Sequence, residues 1–376
     1  MRRICRREML RNSLVFSSAL LGISQTQLLG SPAPSGKGRS FRMGFTPSPH
    51  LWTPEAWDEM ATFIRRNGDI MLQALFGVPW TEALHNQPFH PNLMADWERR
   101  KALTAGGLRT YLGITPLSMG RNAISEYTNE RENVALPAEF VGKALDDPIV
   151  KKAFLNFCQR SIDYFQPEYA AVGIEVNSLY SPSRRQQWRE YVRLHEYIYG
   201  ELKKRYPSLP IFATMDLHAM RAPDNPDPEG MLAAYKQIMD ANDIIAVSFY
   251  PFFRGLSDKV DDVFKWLTET FDRYHKPYAV AETGEAAADA MVKIDVGMRE
   301  YKGSPALQKA YFEKVLALAE ARRFKFVIAW FYHDPVAVER YDWAPWQNCG
   351  FLDKKGAPRP AFAVWQKYFK MPLQEQ

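Results

Sequence analysis

The sequence predicts an α/β fold of one type, a single-domain (β/α)8 TIM barrel, and three observations point there. Eight short apolar runs recur along the chain, longer segments of helical period separate them, and no glycine-rich phosphate turn follows an early run. Strands alternating with helices over about 330 residues are the repeat of such a barrel. The rival doubly wound sheet would usually carry a GxGxxG or P-loop turn after an early strand, and neither is present.

The runs lie at residues 42–46, 70–75, 109–115, 170–174, 211–215, 244–250, 278–281 and 326–331. They are aliphatic and aromatic and too short for helices, as strands buried on both faces should be. Thr53-Pro54-Glu55-Ala56-Trp57 sets a capping hydroxyl before a proline and so predicts a helix start. Residues 185–205 form an amphipathic stretch ending before Tyr206-Pro207, and 307–322 form another.

Residues 1–40 stand apart from this pattern. Arg6-Arg7 is followed by Glu8, Met9, Leu10 and Arg11, then by an apolar, serine-rich stretch at 14–29 and a Pro/Gly/Ser-rich linker at 31–40. This resembles a twin-arginine export signal, so a periplasmic or extracellular location is expected, with 41–376 as the catalytic domain. The alternative is a disordered basic tail or a misassigned start codon. The apolar stretch is too short and polar to span a bilayer, and no membrane association is expected after export.

The net charge of +5 belongs to that leader; beyond residue 40 the chain is close to neutral. No nucleic-acid footprint is therefore expected. Cys5 lies in the leader, and Cys158 and Cys349 allow at most one bridge, with buried free thiols the better expectation. No Cys/His group has zinc spacing, so neither a metal nor another cofactor is expected. A monomer is expected. An aromatic content of 14% suits a sugar-binding cleft and a large core equally.

Chemistry in a barrel sits at the C-terminal strand ends. The fourth run, AAVGIEVN, delivers Glu175 and Asn177; the fifth, IFATMDLH, delivers Asp216 and His218. The sixth brings Ser248 and Tyr250, the seventh Glu282, and the eighth Trp330, Tyr332, His333 and Asp334. Two carboxylates facing one opening are what glycoside hydrolysis needs, one protonating the leaving oxygen and one attacking the anomeric carbon or activating water.

Three segments, VGIEVN, DIIAVSFYPFF and AVAETG, resemble the fourth, sixth and seventh strands of clan A glycoside hydrolases, most of all the arabinogalactan endo-β-1,4-galactanase family. FVIAWFYHDP and GFLDKKGAPRPAFAVWQKY are similar to the closing parts of such barrels. The resemblance covers mainly residues 170–335. It implies a retaining enzyme acting on β-linked sugar polymers. Glu175 would be its acid/base, Glu282 its nucleophile, Tyr250 a hydrogen-bond partner of Glu282, and Trp330 the floor under the sugar. Two positions depart from the clan pattern: Ile174 stands where Asn precedes the acid/base, and the second strand offers Gln73 in place of an Arg. Asn177 is a candidate substitute. A glycan-binding barrel without activity is the alternative from another class, and a metal-dependent amidohydrolase is a third.

Other residues carry weaker expectations. Glu285, past Thr283-Gly284, is expected to face solvent. Trp80, Trp343 and Trp346 fall in predicted loops, where they would stack on sugars or pack. His218 and Asp216 would bind substrate or make a rim hydrogen bond. His50, His85 and His90 are expected at the surface, and His333-Asp334 in a loop turn.

Overall fold

The structure, a computed structural model, describes residues 38–131, 134–294, 297–336 and 341–374; the export motif lies outside the described residues. Each sequence run becomes parallel strand, in chain order β1 (Arg42–Phe45), β2 (Ile70–Leu75), β3 (Arg109–Ile114), β4 (Tyr169–Ala171), β5 (Ile211–Phe212), β6 (Thr214–Asp216), β7 (Ile245–Phe249) and β8 (Tyr278–Thr283). A hairpin of β9 (Ala290–Ile294) and β10 (Gly297–Tyr301) follows, and then β11 (Phe326–Ala329).

The main sheet runs β5-β4-β3-β2-β1-β11-β8-β7-β6. Its two edge strands, β5 and β6, are halves of one chain stretch, parted at Ala213, whose N–H donates to the Asn242 side chain at 2.7 Å. Val172 N–H donates to Phe212 O at 2.8 Å and Thr214 N–H to Gly173 O at 2.9 Å, while β6 pairs with β7. The stretch thus touches both neighbours, and the sheet wraps back on itself as a barrel.

Helices α1 (Pro54–Asn67), α2 (Trp80–Leu84), α3 (Pro91–Leu103), α4 (Pro148–Phe165), α5 (Arg185–Arg205), α6 (Leu217–Met220), α7 (Pro228–Lys236), α8 (Val260–Phe271), α9 (Pro305–Ala321) and α10 (Pro360–Phe369) accompany the strands. Proline opens α1, α4, α7 and α9, each behind a residue whose side chain accepts a backbone N–H: Thr53, Asp147, Asp227 and Ser304. The proline lacks an N–H that would have had no partner within the helix, and the cap satisfies another of the first turn's unpartnered N–H groups. Among the described residues no helix is long and apolar enough to cross a membrane.

Alternation sorts the strand side chains into two cores. From β2, Met71 and Leu75 join the large cluster shared with the helices, while Ile70, Leu72 and Ala74 point into the barrel. Inside, the Phe326 ring lies 4.8 Å from those of both Tyr111 and Tyr169. These rings fill the interior, so ligands meet the barrel only at its mouth.

Candidate active site

Glu282 ends an apolar strand, and simple alternation would turn it away from the interior: Ala279 and Ala281 face inward and Val280 outward. A register shift intervenes. Val280 pairs with Val247 but Glu282 pairs with Ser248, so the chain gains a residue at Ala281. This bulge aims Glu282 inward and sends Thr283 outward, where its hydroxyl meets Phe249 O at 2.6 Å and the Tyr311 hydroxyl. Glu282 is only 6% exposed, and the Tyr250 hydroxyl donates to its Oε2 at 3.1 Å, as the resemblance implies.

Glu175 arrives differently. Past β4, Gly173 lets the chain pass close to α5, since a Cβ there would lie 2.3 Å from the Tyr191 hydroxyl. Glu175 itself adopts a left-handed conformation, φ 52°, with its N–H donating to Thr214 Oγ1 at 2.8 Å. Its side chain stays 18% exposed and receives Arg121 Nη2 on Oε2 at 3.1 Å.

The surroundings set the protonation of both groups. Burial and the charge of Glu175 push Glu282 up to about 8, against Arg121 and the Tyr250 hydroxyl. Burial also raises Glu175, opposed by Arg121. Beside them, His218 Nδ1 lies 2.9 Å from Asp216 Oδ1. Burial opposes charging either group, yet each sustains the other: Asp216 is held below its usual range and His218 above.

An aromatic wall closes the other side. The Tyr250 ring stands edge-on to Trp346 at 4.7 Å and to Trp330 at 6.2 Å, and meets His218 at 5.8 Å. Trp330, partly exposed, and Phe76 line the interior end of the opening. Asn177 is buried and supports the rim from beneath: its Nδ2 donates to Asp216 O at 2.9 Å, and Asp216 N–H donates back to Oδ1 at 2.7 Å. It does not replace the clan's Asn. Ile174 packs inward toward Gly113 and Leu72, so an aliphatic group fills that place.

Three sequence expectations are corrected here. Gln73 falls on the outward parity of β2, and its Nε2 donates to Arg100 O on α3 at 3.2 Å; it is no rim residue. Trp80 is a core residue, with Nε1 on Ser125 O at 2.9 Å and its ring 5.2 Å from Phe140. Glu285 does not face solvent: it is buried, accepts the Ala286 N–H at 2.9 Å, and burial pushes it up to about 7. His333 and Asp334 are structural, Asp334 being held by both Arg359 terminal nitrogens at 2.8 and 2.5 Å. His50 stacks on His333, His85 reaches Glu139 at 3.4 Å, and His90 caps α3. The side chain of Trp343 lies outside the described residues. Arg121 was missed, because it sits in the long β3–α4 connection with no periodic signal around it.

Comparison with known proteins decides the family. The sequence profile of glycosyl hydrolase family 53 matches residues 151–365, more than half of the chain. The chain belongs to that family. The family 53 match begins in α4 and takes in β4, β8 and β11, leaving β1 to β3 and the Arg121 loop before it.

Among solved structures, a fungal β-1,4-galactanase is similar with a TM-score of 0.56 at 16% identity, covering 87% of this chain and 94% of the other. A GH5_18 protein from Bifidobacterium longum gives 0.61 at 12% identity, with 90% and 82% covered. An exo-β-1,4-mannosidase from an Opitutaceae bacterium gives 0.59 at 11% identity, with 90% and 60% covered. At such identities the likeness is one of fold. No curated protein matches the chain in sequence. Family membership and fold make the molecule a clan A glycoside hydrolase with a carbohydrate substrate.

Proposed function

We propose that this family 53 hydrolase cleaves β-linked, galactan-like polysaccharide with retention, Glu175 acting as acid/base and Glu282 as nucleophile. The observation that carries the reading is the pair itself. Two carboxyls from non-adjacent strands share one buried opening, and the charge of one raises the other. Such a pair resists its second ionisation, so it holds one proton through neutral pH. Burial and the Glu175 charge favour that proton on Glu282, and the reactive arrangement is the one with it on Glu175. From there ionised Glu282 bonds to the anomeric carbon as Glu175 gives its proton to the departing glycosidic oxygen; water then displaces Glu282 from that carbon, its proton passing to Glu175. Tyr250 holds Glu282 in line, and Trp330 offers a flat apolar face to the sugar. The galactan choice rests on the family and on the fungal galactanase neighbour.

Ile174 favours a second reading, a barrel that binds the glycan without cutting it, since the aliphatic group removes a hydrogen bond that would strengthen in the transition state. Following the reaction by proton NMR separates the two. With β-1,4-galactan, β-mannan and β-glucan as substrates, the β-anomer should appear first, and fastest from galactan. The α-anomer appearing first would refute retention, while glycans that bind and stay intact would refute catalysis.

A further inference from the structure

Glu175 is faced by Arg121 from the β3–α4 loop, by Asp216 at the end of β6, by His218 on α6, and by Glu282 from β8, while the hydroxyls of Tyr111 and Tyr250 feel its charge. Asp216 and His218 answer each other at 2.9 Å. The cation bonded to Glu175 is Arg121. That guanidinium is built into its place. Its Nη1 donates to Ser118 O at 3.2 Å and Met119 O at 3.1 Å, and its side chain is only 10% exposed. The loop is closed beneath it by Ser118 N–H to Ala123 O at 2.9 Å and Ser125 N–H to Pro116 O at 2.7 Å. Arg121 holds a left-handed conformation, φ 54°, as Glu175 does. Backbone strain kept at both ends of one ion pair marks a position that the surrounding structure enforces.

Resting on the roles given above to Glu175 and Glu282, we propose that Arg121 is a positioning residue acting through Glu175: it grips the carboxyl by Oε2 and stabilises the carboxylate that forms as the proton passes to the glycosidic oxygen. Two consequences follow from charge alone. Substrates whose leaving group needs protonation depend on Arg121, and activated aryl leaving groups, which depart unprotonated, hardly do. Arg121 also lowers both members of the carboxyl pair, so removing its charge lifts both limbs of the pH profile.

The test measures kcat/KM against pH for wild type, Arg121→Gln and Arg121→Lys, on the polysaccharide and on an activated aryl β-glycoside. Arg121→Gln should move both limbs up by about one pH unit. It should also lose at least ~10-fold more on the polysaccharide than on the aryl substrate. Arg121→Lys keeps the charge and should leave the limbs in place. Limbs unmoved in Arg121→Gln, or equal losses on both substrates, overturn the inference while the proposed function stands. If Arg121→Gln does not melt cooperatively, Arg121→Lys decides: limbs left in place with any loss confined to the polysaccharide support the inference, and displaced limbs or equal losses on both substrates overturn it. A folded wild type that cleaves neither substrate overturns the proposed function itself.

Discussion

Glu175 and Glu282 reach one opening by different backbone devices and into different company. Glu282 is aimed within its strand by the bulge at Ala281 and is held by a neutral hydroxyl. Glu175 is aimed beyond its strand by a left-handed residue and is held by a cation. A donor without charge leaves a carboxylate nucleophilic and steadies its orientation. A cation stabilises the carboxylate left behind when a proton departs. The two settings therefore suit two different tasks, although both residues are glutamates in a buried site.

The sharpest way to break this comparison is to remove one carboxylate at a time. Under the proposed retaining mechanism, Glu282→Gln should lose kcat by on the order of 10^4-fold or more on every substrate, because no covalent intermediate would form. Glu175→Gln should lose about 10^2- to 10^4-fold on polysaccharide, yet keep the glycosylation step on an activated aryl glycoside, seen as a burst of released phenol. Equal losses for the two variants on the aryl substrate would erase the distinction.

A smaller effect belongs to Tyr250→Phe. Loss of a hydrogen bond to a charged group is worth about 1.5–3 kcal/mol, so kcat/KM should fall roughly 10- to 100-fold. The hydroxyl lowers Glu282, the later member of the pair to ionise, so without it that carboxyl needs a higher pH to ionise and the alkaline limb moves upward. The acid limb should move less, in contrast to Arg121→Gln. The smallest change is expected from Gly173→Ala. Its Cβ would crowd the Tyr191 hydroxyl and Val176, which should destabilise the fold by about 1–3 kcal/mol, read as a lowered Tm. The Glu175 turn should shift and Glu282 should not, so activity lost on polysaccharide should be partly spared on the aryl glycoside.

Much of this was legible residue by residue. The order of strands and helices could be read because apolar runs and capped prolines are local signals, and Thr53-Pro54 starts α1 as its sequence predicts. Glu175, Glu282, Tyr250 and Trp330 could be named because polar or aromatic residues closing an apolar run fall at the barrel mouth. Gln73 was misplaced for a physical reason. Both faces of a barrel strand are apolar, so alternation along IMLQAL does not reveal which parity faces the interior. Glu285 was misplaced because the cover over it comes from far along the chain: Gln308 Nε2 donates to Glu285 O at 3.1 Å, and Ala287 N–H donates to Asn348 O at 2.8 Å.

The sequence by itself determined that strands would alternate with helices and that a glutamate would close the fourth and seventh apolar runs, since these depend on residue type and near-neighbour spacing. Only the tertiary structure decided that Glu282 turns inward, that Asn177 serves the rim from below, and that Arg121 crosses 54 positions to meet Glu175. A bulge is a mismatch between two strands, and an ion pair between distant loops exists only once the barrel has closed; neither is a property of any one stretch of chain.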